Sequence, residues 1–301
     1  MRRIVILVLL ALSTGCQTLR SRRQTAALTT ARQLSLHGAS ELEQERYTEA
    51  EEYFAEALQN SAADERAYWG MAQVLWEQGD RAKAIQHMAR AAAISGDRPD
   101  LLVQLGEMYF SEGAYEQAIA QADAAIAGQR DLSSAWALRG KVLQERGDLE
   151  DALSSYHRAL HLKEYYPEVQ VAIAQIYQDM EQPQRALHTL DCMLDSRTED
   201  AIPPFAWLLK GQALADLGES TEAKLCLREA AQCAQDSDVA LLLKVAESQI
   251  EFGDLAEARI CVGRAIRQNP YDPQALRIRA HLDATFENGS PPTMLTGHVL
   301  R

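Results

Sequence analysis

The sequence predicts an all-α protein: a solenoid of stacked helix hairpins closed by one further helix. Three observations predict it. The segments EQGDRAKAIQHMARAAAI from Glu77, SEGAYEQAIAQADAAIAG from Ser111 and ERGDLEDALSSYHRALHL from Glu145 start 34 residues apart, and self-similarity at such a period marks a repeat array. Small residues recur at the positions where two helices of a hairpin would cross. In the first helix these are Gly38, Ala72, Gly106, Gly140, Ala174, Gly211 and Ala246; in the second, Ala57, Ala91, Ala125, Ala159, Ala230 and Ala265, with Met193 in the fifth copy. Between the two helices stand Gly79, Gly113, Gly147, Gly218 and Gly253, with Glu45 and Glu181 as departures. Glycine there ends the first helix at positive φ. One hairpin cannot bury its apolar face alone, so neighbours must stack.

Two more columns complete the pattern. A bulky residue precedes the first small position by four: Leu34, Tyr68, Leu102, Trp136, Trp207 and Leu242, with Gln170 in the fifth copy. An alanine opens every second helix: Ala50, Ala84, Ala118, Ala152, Ala186, Ala223 and Ala258. Together these columns resemble the tetratricopeptide repeat (TPR). The resemblance implies a right-handed superhelix of about seven hairpins, with first helices lining a concave side and second helices forming the convex side. The copies fall at 31–64, 65–98, 99–132, 133–166, 167–200, 204–237 and 239–272.

The elements can be justified in chain order. Arg2 and Arg3 precede the apolar run Ile4–Leu12, which is too short for the roughly 20 residues of a membrane span and reads as an export signal over residues 1–15. Leu12-Ser13-Thr14-Gly15-Cys16 resembles the lipobox of bacterial lipoproteins, with Ser13 where that family prefers leucine. The resemblance implies lipidation at Cys16, and Gln17 implies sorting to the outer membrane, facing the periplasm. A polar tether is expected over 16–30. The first copy places His37 and Glu41 at expected apolar positions, as an end repeat does. Between the fifth and sixth copies, Asp200-Ala201-Ile202-Pro203-Pro204 interrupts helix and is expected to bend the array. Residues 273–286 read as a capping helix and 287–301 as a disordered tail.

With Cys16 set aside, Cys192, Cys226, Cys233 and Cys261 remain. Cys226 and Cys233 fall seven apart on one expected helix, about 10 Å along its axis, too far for a disulfide. All four are expected as small buried residues. The formal charge of −13 argues against nucleic acid, whose phosphates need lysine and arginine.

Two columns are candidates for a binding surface. Trp69 and Trp76 lie one step off the packing column, on the side the resemblance assigns to the groove; Phe110 shares the column of Trp76, and Val103 would extend the patch. Exposed aromatic clusters mark interaction surfaces. The residue two before the turn is Glu43, Glu77, Ser111, Glu145, Asp179, Asp216 or Glu251. Six of these are acidic although carboxylates at helix C-termini are disfavoured. Glu43, Glu77 and Glu145 have Arg46, Arg81 and Lys141 in local reach.

Catalytic signals are poor. His157 and His161 have the i, i+4 spacing of a metal pair but lack a third ligand, and there is no glycine-rich phosphate loop. No cofactor or metal is expected and the chain is not expected to be an enzyme. The sequence therefore predicts a membrane-anchored scaffold that takes basic or aromatic protein or peptide segments in its groove. In plan it resembles bacterial TPR lipoproteins that assist pilus or secretin assembly or dock cell-wall enzymes. The alternatives are an enzyme acting on envelope polymers and a self-associating structural lipoprotein.

Overall fold

The computed structural model describes residues 26–195 and 202–288, and among these there are fifteen helices and no strand. The expected signal, Cys16, most of the tether and the tail beyond 288 lie outside the described residues. The chain forms two compact units that part between Leu162 and Lys163.

The first unit holds four hairpins: α1 (26–43) with α2 (Tyr47–Asn60), α3 (Glu65–Glu77) with α4 (Arg81–Ser95), α5 (Pro99–Ser111) with α6 (Tyr115–Gly128), and α7 (Ser133–Glu145) with α8 (Leu149–Leu162). Helix already covers residues 26–30, so the tether ends earlier than expected. The second unit holds α9 (Pro167–Asp179) with α10 (Pro183–Asp195), α11 (Pro204–Asp216) with α12 (Ser220–Cys233), and α13 (Val239–Glu251) with α14 (Leu255–Gln268). Helix α15 (Pro273–Asn288) then packs on both α13 and α14. Of the expected bend at Asp200–Pro204, residues 200 and 201 lie outside those described, and Pro204 opens α11.

Local chemistry explains where the helices start and stop. Proline opens α5, α9, α10, α11 and α15, where its missing N–H is no loss. Asp64, Asp80 and Asp238 cap α3, α4 and α13 by accepting from the backbone N–H of Arg66, Lys83 and Leu241. The five turn glycines all have φ between 71° and 86°. The two departures adopt the same left-handed backbone, Glu45 at φ 59° and Glu181 at φ 56°. The array keeps the turn even where the side chain disfavours it.

The core follows from size matching at the crossing. Phe54, 1% exposed, lies between Gly38 on α1 and Gly70 on α3. A Cβ at Gly38 would stand 2.8 Å from the ring, and one at Gly70 would stand 2.2 Å from it. Tyr156 lies against Gly140 in the same way, with a Cβ position 2.6 Å from Cδ1. Its buried hydroxyl donates to Gln144 Oε1 at 3.0 Å; burial and the charges of Glu145 and Glu107 hold the phenol protonated far above its usual range. In the second unit, Arg264 of α14 reaches the end of α12: it donates to the carbonyls of Ala231 and Ala234 and pairs with Asp236 at 2.6 Å. One side chain thereby satisfies carbonyls that a helix C-terminus leaves open.

Candidate partner-binding surface

The first unit carries a cleft of about 490 Å³ between α1, α2, α3, α4 and α5. Leu42, Trp76 and Met108 give it an apolar floor, and Gln73, Gln104, Glu77 and Glu107 give it a polar wall. Trp76 packs against the cores of two successive hairpins yet stays half-exposed on the cleft. Its ring is covered by the chain's own charge rather than left bare: the Arg81 guanidinium lies 3.9 Å from the ring centre and donates to the Trp76 carbonyl at 2.9 Å.

The other members of the expected aromatic patch separate. Trp69 lies one layer back and donates from Nε1 to Gln104 Oε1 at 2.6 Å, so it braces the cleft wall. Val103 does not extend the patch; at 8% exposure it is part of the core with Leu102 and Leu105, because the neighbouring hairpins cover that register. Phe110 is half-buried with Tyr115 at 5.6 Å and the Lys141 ammonium 4.4 Å above its ring. It does not line the cleft.

The acidic column is exposed at Glu43, Glu77, Glu145, Asp179, Asp216 and Glu251. Only Glu77 of these lines the cleft. The local partners read from spacing are engaged elsewhere. Arg46 pairs with Glu41, Arg81 with Trp76, and Lys141 with Glu107 of the preceding hairpin at 2.9 Å. Among the described residues Glu43, Glu77 and Glu145 are thereby left without an ion pair. In the second unit, Asp179 accepts from Gln175 at 2.8 Å and Asp216 accepts from Gln178.

Sequence reasoning missed Gln73, Gln104 and Glu107. Gln73 and Glu107 sit three residues before Trp76 and Phe110, one helical turn away on the same face, so the signal was present. The cysteine expectation holds for two of four. Cys226 and Cys261 are buried, Cys192 and Cys233 are exposed, and none of the four forms a disulfide among the described residues. Burial raises the Cys226 thiol and pushes Cys261 up to about 11. His157 and His161 are exposed on α8, and no group of three metal-ligating side chains occurs among the described residues. No described helix is long and apolar enough to cross a membrane.

Tetratricopeptide-repeat family models match residues 41–86, 75–142 and 171–238, more than half of the chain. The chain belongs to the tetratricopeptide repeat family. This TPR protein is similar to a crystal structure of a TPR protein from Parabacteroides merdae, with a TM-score of 0.65 at 12% identity, covering 86% of this chain and 99% of that one. Pseudomonas aeruginosa PilF is similar with a TM-score of 0.55 at 16% identity, covering 85% of this chain and 99% of that one. Among curated proteins, human general transcription factor 3C polypeptide 3 is 26% identical over 103 residues, which span 34% of this chain and 12% of that protein. The structural likenesses carry the fold; the family membership carries the reading of the TPR array as a protein–protein interaction scaffold.

Proposed function

We propose that this TPR protein is a membrane-tethered adaptor that holds an extended segment of a partner in the cleft of its first unit, in the assembly of a bacterial envelope complex. The observation that carries the reading is the cleft itself, an open concavity with an indole floor and an unpaired carboxylate, Glu77, at its edge. The bound segment places an apolar or aromatic side chain over Leu42, Trp76 and Met108, and a lysine or arginine against Glu77. A partner cation does not stack on Trp76 unless Arg81 leaves, because the guanidinium already lies on the ring. Lipidation at Cys16 supplies the anchor and confines the adaptor to the periplasmic side of the outer membrane. A lipid anchor raises local concentration of the groove near other envelope components.

The test is photocrosslinking from position 77 in the native envelope, followed by fluorescence titration with peptides from the captured partner. Trp76→Ala is expected to cost about 2 kcal/mol of binding, roughly 30-fold in Kd, as a central aromatic anchor does. Glu77→Lys should weaken binding and flatten its salt dependence. Unchanged affinity in both variants would reject the cleft as the binding site. The anchor is tested apart from the cleft: Cys16→Ser should move the protein from the membrane to the soluble fraction, and continued membrane recovery would reject lipidation at that position.

A further inference from the structure

The second unit has a cavity of its own, about 720 Å³, between the start of α11, the C-terminal half of α12 and the N-terminus of α13. It is lined by the first turn of α11, which includes Trp207 of the packing column, together with α12 and loop residues, and by no residue of the acidic column. One wall is hydrocarbon: Ile202, Pro204 and the half-buried indole of Trp207. The facing wall carries the carboxylates of Glu229 and Asp238, with the exposed thiol of Cys233 beside them. Among the described residues, no lysine or arginine lines the cavity. Asp238 is held in place because it caps α13, accepting from Leu241 N–H at 3.0 Å. Glu229 pairs with no cation among the described residues. Lys210, whose Nζ stands 5.9 Å from the Trp207 ring, is committed to Asp191 at 2.6 Å.

We propose that this cavity binds an alkylammonium group. The hydrocarbon stem lies along Ile202, Pro204 and Trp207, and the cationic head meets Glu229 and Asp238. A ligand with only one of these properties leaves half the site unsatisfied. A neutral alkyl chain leaves two carboxylates facing a surface that cannot neutralise them, and a bare metal ion gains nothing from the hydrocarbon wall. An anion is repelled. Long amines combine an apolar stem with a solvated charge at its tip, which is the division the two walls display. The same chemistry comes from a lysine side chain of a protein or from a free polyamine.

Cys233 provides the readout and Cys192, exposed on α10 outside the cavity, provides the internal reference. The full chain is labelled with a trimethylammonium-ethyl and with a sulfonatoethyl methanethiosulfonate, and each cysteine is followed by peptide mass spectrometry. At low salt the cation-over-anion rate ratio at Cys233 is expected to exceed that at Cys192 by about tenfold, the lower edge of electrostatic focusing in a charged concavity. The excess should vanish in the Glu229→Gln, Asp238→Asn variant, in which asparagine keeps the helix cap. In the unmodified sequence, n-butylammonium should slow labelling at Cys233 and n-butanol should not. N-acetyl-lysine methylamide protecting better than spermidine identifies a peptide source, and the reverse order identifies a polyamine. Ratios at the two cysteines within about twofold of each other, or equal protection by butanol and butylammonium, overturn the proposal.

Discussion

The fit of Phe54 between two glycines predicts a reversal of sign in one pair of substitutions. A Cβ at position 70 would stand 2.2 Å from Phe54 Cζ, which is 1.2 Å inside the 3.4 Å at which ordinary contact begins. The ring has little room to withdraw, because it is 1% exposed and sits so close to the α1 backbone at Gly38 that a Cβ there would also stand 2.8 Å from it. Overpacking of this kind costs up to about 3 kcal/mol, while alanine gains about 1 kcal/mol over glycine in a helix interior. Gly70→Ala alone is therefore expected to destabilise by roughly 2 kcal/mol. Phe54→Ala alone should cost about 3–5 kcal/mol, as deletion of a buried aromatic ring does. In the Phe54→Ala background the clash is gone, and Gly70→Ala should stabilise by about 1 kcal/mol. The coupling between the two sites is then about 3 kcal/mol. Because a repeat array unfolds in parts, the assay is hydrogen exchange in peptides covering residues 26–77, alongside urea unfolding of the whole chain. If Gly70→Ala lowers protection equally in both backgrounds, the account of the crossing as a size match between Phe54 and glycine is wrong.

Other predictions address separate parts of the chain. Glu181→Gly should stabilise the protein by about 1 kcal/mol in urea unfolding, since a left-handed non-glycine residue costs roughly 1–2 kcal/mol and glycine's added freedom in the unfolded chain returns part of that. Burial and the Lys83 charge hold His87 below its usual pKa, and its Nδ1 is buried without a partner. The unfolded state then binds this proton more readily, so stability is full above about pH 6.5 and declines as the pH falls below it. Melting temperature measured between pH 7 and pH 5 should fall less in His87→Gln than in the parent. Iodoacetamide at pH 8 should modify Cys192 and Cys233 within minutes while Cys226 and Cys261 stay unmodified, because only the thiolate reacts and burial raises both inner thiols.

The hairpins were legible in the sequence because backbone approach demands small side chains at fixed intervals, and nothing else satisfies that demand cheaply. The size match carries this further: Gly140 meets Tyr156 sixteen residues on, and Gly38 meets Phe54 at the same offset. The turns were legible even at Glu45 and Glu181, where the surrounding hairpin imposes positive φ on an unsuited residue. Side-chain pairing was not. Spacing of three or four suggested Lys141 for Glu145, but in the stack the residue one repeat earlier is equally near, and Lys141 reaches Glu107. A different, local competition takes Arg81 away from Glu77: it lies on the ring of Trp76 and donates to its carbonyl, within the same hairpin. Val103 shares its register with Trp69, but the shorter side chain is closed over where the longer one reaches the edge. Burial at that position depends on side-chain length and on the next hairpin, neither of which a column of letters displays.

Helix α15 occupies the place that the first helix of an eighth hairpin would take, and it covers α13 and α14 with Ala275, Ile278 and Leu282, each at most 3% exposed. An array without such a lid would leave a ready template for the leading helix of another molecule. Chains could then add head to tail, each supplying the lid its neighbour lacks, and a short array would become a growing fibre. The same geometry makes this end the natural place to graft further hairpins, provided the lid is moved outward with them.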